Sequence, residues 1–237
     1  MKKLLFLVAV VAGFLSSCGD DEISRDPDSI GYQYYPLEVG RYWIFNVTEN
    51  KYVNNAKVET TTHQTREEID AIVKDQTGKE WYRVELSRRP DASANWVISG
   101  VRLVSLSANN LQIQENNQTT VQMVFPVKNG YSFVANGFQD QENPVYFTYA
   151  ALGKAFSQDG LSYDNTLTLV KLDEDTEVVF DKSIEVLALN SGPVYRSEQL
   201  YDYCDDSTGE TCPYAVDYIV SGSDRTEILE STGLVQE

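Results

Sequence analysis

Apolar and polar residues alternate along most of this chain. Tyr82, Val84 and Leu86 interleave with Arg83, Glu85 and Ser87, and Leu111 and Ile113 with Gln112 and Gln114. Thr119, Val121, Met123 and Phe125 fall on one face of a further run, and Tyr214, Val216, Tyr218 and Val220 repeat the theme near the C-terminus. A period of two describes strands with one face buried and the other wet, as in antiparallel sheets. Turn chemistry separates the runs at Asn54-Asn55, Asp75 to Gly78, Ser99-Gly100, Asn109-Asn110, Glu115 to Gln118 and Lys128-Asn129-Gly130. Helix signals are scarce; a short helix near 150–158 is the exception. The pattern predicts an all-β fold, an antiparallel meander of about ten or more strands. A flat sheet of that width is unusual, so it should curl into a barrel or pack as a two-sheet sandwich.

One segment is echoed. Pro36-Leu37-Glu38-Val39-Gly40-Arg41-Tyr42-Trp43 and Pro126-Val127-Lys128-Asn129-Gly130-Tyr131-Ser132-Phe133 each carry Pro, an aliphatic residue, then Gly and a large aromatic at equal spacing. The Gly permits positive φ in a turn, and the aromatic opens the next strand pointing into the core. Two readings stand: a duplication giving two similar halves, or turn chemistry reached twice. Trp43 and Phe133 must occupy corresponding places if the first is right.

The N-terminus is of another kind. Met1-Lys2-Lys3 is a short positive region, and Leu4 to Leu15 is an uncharged apolar stretch. It falls short of the roughly 20 residues a bilayer span needs and reads as the core of a secretory signal peptide covering residues 1–17. Leu15-Ser16-Ser17-Cys18 resembles the bacterial lipobox, in which the Cys thiol receives a diacylglycerol and becomes the mature N-terminus. A thiolate suits that role because it attacks well near neutral pH. Residues 18–30 then form an acidic tether, since short charged segments with Ser and Pro do not fold. The domain proper is a single unit over residues 31–237.

Composition sharpens this picture. Formal charge is −17, and loss of Lys2 and Lys3 with the signal peptide takes it to −19. Such a balance disfavours nucleic acid as a partner. Fifteen Tyr and nine Phe favour strands. With Cys18 lipidated, Cys204 and Cys212 remain, and in an oxidising compartment they should pair. Their spacing is unlike that of a redox motif, and closing so short a loop contributes roughly 2.5 kcal/mol.

Several segments resemble a group of Bacteroidetes outer-membrane lipoproteins without an assigned activity. Tyr35-Pro36-Leu37-Glu38-Val39-Gly40-Arg41-Tyr42-Trp43-Ile44-Phe45 is similar to the signature that opens their folded part. Met123 to Gly130 resembles a second signature, and Glu185 through Gly192-Pro193-Val194-Tyr195-Arg196 a third. Phe133 stands where Trp is usual, and Pro193 interrupts the Gly turn. Asp20-Asp21-Glu22 resembles the surface-export signal of the same phylum, and Asp28-Ser29-Ile30 its short O-glycosylation site, making Ser29 a candidate acceptor. The resemblance implies an outer-membrane address, lipid-anchored and with the domain at the cell surface, and a β architecture. It implies no catalytic residue.

Catalytic chemistry is hard to find. His63 is the sole histidine, in a polar strand-like run, and no Gly-x-Ser-x-Gly elbow accompanies it. Carboxylates cluster at Glu67-Glu68, Asp140 with Glu142, Asp173-Glu174-Asp175 with Glu177, and Asp205-Asp206 with Glu210. They read as solvated turns, with a glycosidase pair or calcium loop as alternatives. Neither a phosphate loop nor a dinucleotide fingerprint occurs, and no cofactor or metal is called for. Three functions follow: a non-catalytic envelope module for a glycan or protein partner, a carrier sheltering an apolar ligand in a β-barrel-like cavity, or a carboxylate-dependent hydrolase. The shape and lining of the largest concavity distinguishes them.

Overall fold

A computed structural model describes residues 30–205, 212 and 217–235. It is all-β. A single 3-10 turn at Tyr32–Tyr34 precedes the strands. These are β1 (Arg41–Val53), β2 (Ala56–Lys74), β3 (Glu80–Arg89), β4 (Val97–Leu106), β5 (Asn110–Glu115), β6 (Gln118–Val124), β7 (Ser132–Val134), β8 (Tyr146–Gln158), β9 (Leu161–Asp175), β10 (Val179–Ala188), β11 (Gly192–Tyr203) and β12 (Ile219–Leu234). They form one sheet in the order β6-β5-β4-β3-β2-β1-β12-β11-β10-β9-β8-β7. The chain therefore runs as two six-stranded meanders joined where β1 pairs antiparallel with β12, and the sheet curls into a nearly closed barrel.

The echoed segments open the two meanders in equivalent ways. Gly40 and Gly130 sit at φ 89° and 76°. Gly40 N–H donates to Ile69 C=O and Gly130 N–H to Tyr149 C=O, each at 2.7 Å. Trp43 then lies opposite Glu67 and Phe133 opposite Phe147, each two residues before that carbonyl. Both aromatics are buried. Trp43 and Phe133 thus hold corresponding places, as the repeat reading requires.

β6 and β7 meet at the seam of the barrel. One main-chain bond crosses it, from Val121 N–H to Ala135 C=O at 2.8 Å. Side chains complete the closure. The Gln139 amide donates to Thr119 C=O, and the Tyr149 hydroxyl accepts from Val124 N–H at 2.6 Å while donating to Val124 C=O at 2.9 Å. A phenol here stands in for a strand partner and satisfies an edge that would otherwise be bare.

Strand direction sorts the connections. Those after β2, β4, β6, β8 and β10 lie at one end, those after the odd strands at the other. The first end is filled. Trp43, Ile69, Val104, Leu111, Met123, Leu167 and Leu187 pack inside it. Residues 30–37 plug it: Tyr34 bonds Asn165 at 2.6 Å, Val127 N–H bonds Ile30 C=O at 3.1 Å, and Asn190 N–H bonds Gln33 C=O at 2.9 Å. Gly31 is required in the plug, since at φ 98° its absent Cβ would lie 2.4 Å from a Val127 methyl. The outward positions Gln64, Arg66, Glu68 and Asp70 in the middle of β2 are polar or charged, with Arg66 paired to Glu68 and Asp70 to Arg83. That is the reverse of a lipid-facing barrel.

Two expectations need correction. Residues 150–158 are strand, not helix; their periodicity is broken by positive φ at Ala151 and Gly153, where β8 shifts register against β9. Thr119, Val121, Met123 and Phe125 do not share one face throughout. A bulge between Leu111 and Gln112 leaves Gln122 as the extra residue, so Gln118, Thr120 and Gln122 face inward before Met123 does.

The seam is open to test. Tyr149→Phe keeps the ring but strands both main-chain polar groups of the partly buried Val124. We expect a loss of about 1–3 kcal/mol in urea denaturation. A loss near zero would mean that the seam does not need the phenol.

A charged cavity in the barrel

Above the packed end, the interior turns polar. A cavity of about 570 Å³ opens toward the other end, floored by Tyr35 and walled by charged and hydroxyl side chains. Its chemistry comes from ordinary strand alternation. Glu67 lies two residues from Ile69, Arg102 from Val104, Lys171 from Leu169, Glu185 from Leu187, Arg196 from Val194 and Glu227 from Leu229. Each charged residue therefore shares its inward face with an apolar neighbour one layer deeper.

Arg196 is the hub. Its Nε donates to Glu185 Oε1 at 2.7 Å, and its Nη1 to Glu67 Oε1 at 2.7 Å and Glu227 Oε2 at 2.9 Å. The guanidinium also lies 4.7 Å from the Phe45 ring. Arg102 reaches Glu67 at 3.3 Å and Glu115 at 2.8 Å. Glu185 takes further bonds from Lys171 Nζ at 2.8 Å and from the Gln122 amide that the bulge turns inward. Arg225 extends the web to Glu227 and Glu49.

Titration follows from this geometry. Burial pushes the Glu67 carboxyl up, but Arg196 and Arg102 outweigh it and hold the group below the usual range. For Glu185, burial likewise acts upward and Lys171 with Arg196 prevails, leaving it well below normal. Burial acts against the Arg196 charge, yet its carboxylate partners raise its pKa well above the ordinary value. Both acids and Arg196 are therefore ionised at neutral pH. Isolated buried charges would be costly; paired and hydrogen-bonded ones persist.

His63 also faces the interior, opposite Val47. It is buried, and its Nδ1 has no hydrogen-bond partner. A triad needs a carboxylate on that nitrogen, so the constellation is not built. Of the acid clusters, Glu67 alone among the described residues enters the cavity. Glu68 faces out to Arg66, Asp140 caps a turn through the N–H groups of Glu142 and Asn143, each at 3.0 Å, and Asp173 lies 3.7 Å from Lys182. Among the described residues, no three His, Cys, Asp or Glu side chains converge as a metal site requires. Cys204 and Cys212 form a disulfide, with Cα atoms 6.0 Å apart, in the connection between β11 and β12. Cys18, Asp20, Asp21, Glu22 and Ser29 lie outside the described residues, as do Asp206 and Glu210.

Arg102, Lys171, Glu185 and Arg196 were not among the sequence candidates. Their signal was present all the same: a charge at a position whose parity belongs to the core. Comparison of the chain with family models, with curated proteins and with solved structures gives no match in any of the three.

The web has a signature in acid. Glu67 and Glu185 bind protons less readily folded than unfolded, where a Glu titrates near about 4.3. Their stabilisation is thus complete above that range and lost as pH falls through it toward their depressed folded values. Arg196→Met should cost about 3–5 kcal/mol at neutral pH, because it leaves carboxylates buried without their partner. It should also reverse the slope, the variant gaining stability as pH falls from 7 toward about 5. Urea midpoints across pH read both effects. An unchanged midpoint, or parallel pH profiles, would remove Arg196 from the centre of the network.

Proposed function

We propose that this protein is a lipid-anchored lipoprotein of the bacterial outer membrane whose barrel is a non-catalytic binding module. Its ligand is a short saccharide bearing a carboxylate. The charged cavity carries this reading. Thr65, Ser87, Ser99 and Thr120 offer hydroxyls, Phe147 adds an aromatic to the lining with the Lys171 ammonium 5.7 Å from its ring centre, and Lys171 keeps donors beyond its bond to Glu185. Hydroxyl partners, one aromatic surface and a cation are what an acidic sugar engages. Pockets of several hundred Å³ suit ligands of that size.

The same lining weighs against the other two functions. A carrier of apolar ligands needs apolar walls, and these are polar. A carboxylate hydrolase needs one acid kept protonated, and Glu67 and Glu185 are both held ionised. The plug supports the anchored orientation. The chain enters the barrel at its filled end at residue 30, which favours an open mouth directed away from a membrane reached through Cys18.

Two experiments test the reading. Titration calorimetry with digalacturonate and with cellobiose should show saturable binding of the acidic disaccharide, tighter than the neutral one, and weakened about tenfold or more in Lys171→Met. Absence of heat from both sugars, or binding that Lys171→Met leaves intact, would sink the cavity as the site. For the anchor, palmitate should label the wild-type protein in cells and not Cys18→Ala; label retained by the variant would refute lipidation there.

A further inference from the structure

A second hollow adjoins the charged cavity. It measures about 520 Å³ and lies where β2, β3 and β4 reach the mouth, with Ser99 on the border of both spaces. Its walls are of two kinds. Val97 and Ile98 are large apolar side chains left 67% and 63% exposed, and Pro90 continues their surface. The polar lining comprises His63, Arg88, Thr61, Thr62, Ser99 and Arg89, the last with its Nε donating to Gln64 Oε1 at 2.7 Å.

Two features of the polar wall are unusual. His63 is only 5% exposed, yet its Nδ1 is a buried polar atom without a partner. Such an atom carries a desolvation cost that a bonded one does not. Arg88 enters no ion pair or hydrogen bond among the described residues, although every arginine of the neighbouring cavity is paired. A free guanidinium and an imidazole with an unsatisfied nitrogen therefore line one hollow whose exposed surface is mostly apolar.

We propose that this hollow is a binding site for a small carboxylic acid with an apolar body, the carboxylate held by Arg88 and by His63 Nδ1–H, and the body lying on Val97, Ile98 and Pro90. The occupant follows from the walls. A neutral apolar molecule would leave Nδ1 unsatisfied, and a fully polar one would leave Val97 and Ile98 in water. Arginine meets a carboxylate in a fork geometry that fixes the orientation of the ligand. This site does not rest on the saccharide reading, since it uses none of the cationic groups of the larger cavity.

The chain offers a direct reporter, because His63 is its sole histidine. With nitrogen-15 histidine incorporated, a single imidazole is observed without assignment. Phenylacetate is the probe, and phenylacetamide its uncharged counterpart. Phenylacetate should shift the imidazole nitrogens saturably at millimolar concentration. Phenylacetamide should bind about tenfold more weakly, and so should phenylacetate to Arg88→Gln. Arg88 is exposed, so that variant keeps the fold. Lys171→Met should respond as the wild type does. No shift with phenylacetate, equal affinity for the amide, or equal affinity in Arg88→Gln overturns the proposal. Loss of the response in Lys171→Met also overturns it, by placing the carboxylate in the larger cavity.

Discussion

A twelve-stranded barrel is wider than its own side chains can fill. Around eight strands enclose a space that inward residues just occupy; beyond that, something must plug the interior, line a cavity, or both. Here the constraint is met twice. Bulky aromatics and the segment carrying Tyr34 and Tyr35 fill one end. The wider remainder is spanned by Arg196 and the acids it joins, Glu67 on β2, Glu185 on β10 and Glu227 on β12. The neighbouring strands β10, β11 and β12 are thereby tied to β2, three places along the sheet from β11, by charge-assisted hydrogen bonds across a gap that methyl groups would not bridge. Because all three carboxylates converge on one guanidinium, the layer stands or falls as a unit.

The same width explains how the sheet closes. Two six-stranded meanders meet in full ladder at β1 and β12 but only in part at β6 and β7. β7 has three residues, too few to cover the edge of β6. Tyr149, Gln139 and the single main-chain bond at Val121 supply the missing partners. The bulge in β6 belongs to this economy as well. It takes one residue out of the ladder and turns Gln122 toward Glu185, so an irregularity at the seam also completes the charged layer.

Ion pairs buried in this way are weak contributors to net stability, since desolvation offsets much of their attraction. A core of apolar residues would hold the barrel as well or better. The proposed binding role gives the network a second purpose. It fixes a set of oriented donors and acceptors around a space of ligand size before any ligand arrives, which lowers the ordering cost of recognition. The mouth-side hollow with Arg88 and His63 adds a compartment of different character beside it. Both compartments open at the end remote from the point where residue 30 enters.

Much of the architecture was legible in the chain. Period-two alternation specified strands, turn residues separated them, and the spacing of Pro, Gly and aromatic at Trp43 and Phe133 marked the two halves. The Cys204–Cys212 pairing followed from count and spacing. These features are local, fixed by backbone sterics and by which face of a strand meets water. The charged layer was partly visible too, as Glu67, Arg102, Glu185 and Arg196 break the apolar parity of their own strands. Their meeting was not, because it depends on barrel closure, which sets residues from β2, β4, β10 and β11 around one axis although Glu67 and Arg196 lie 129 positions apart. Alternation also misassigned Thr119 to Phe125 and could not foresee strand over 150–158, since a bulge or a positive φ reverses parity without altering composition. Which side chains share a cavity is a property of register and curvature, and those are settled only when distant strands pair.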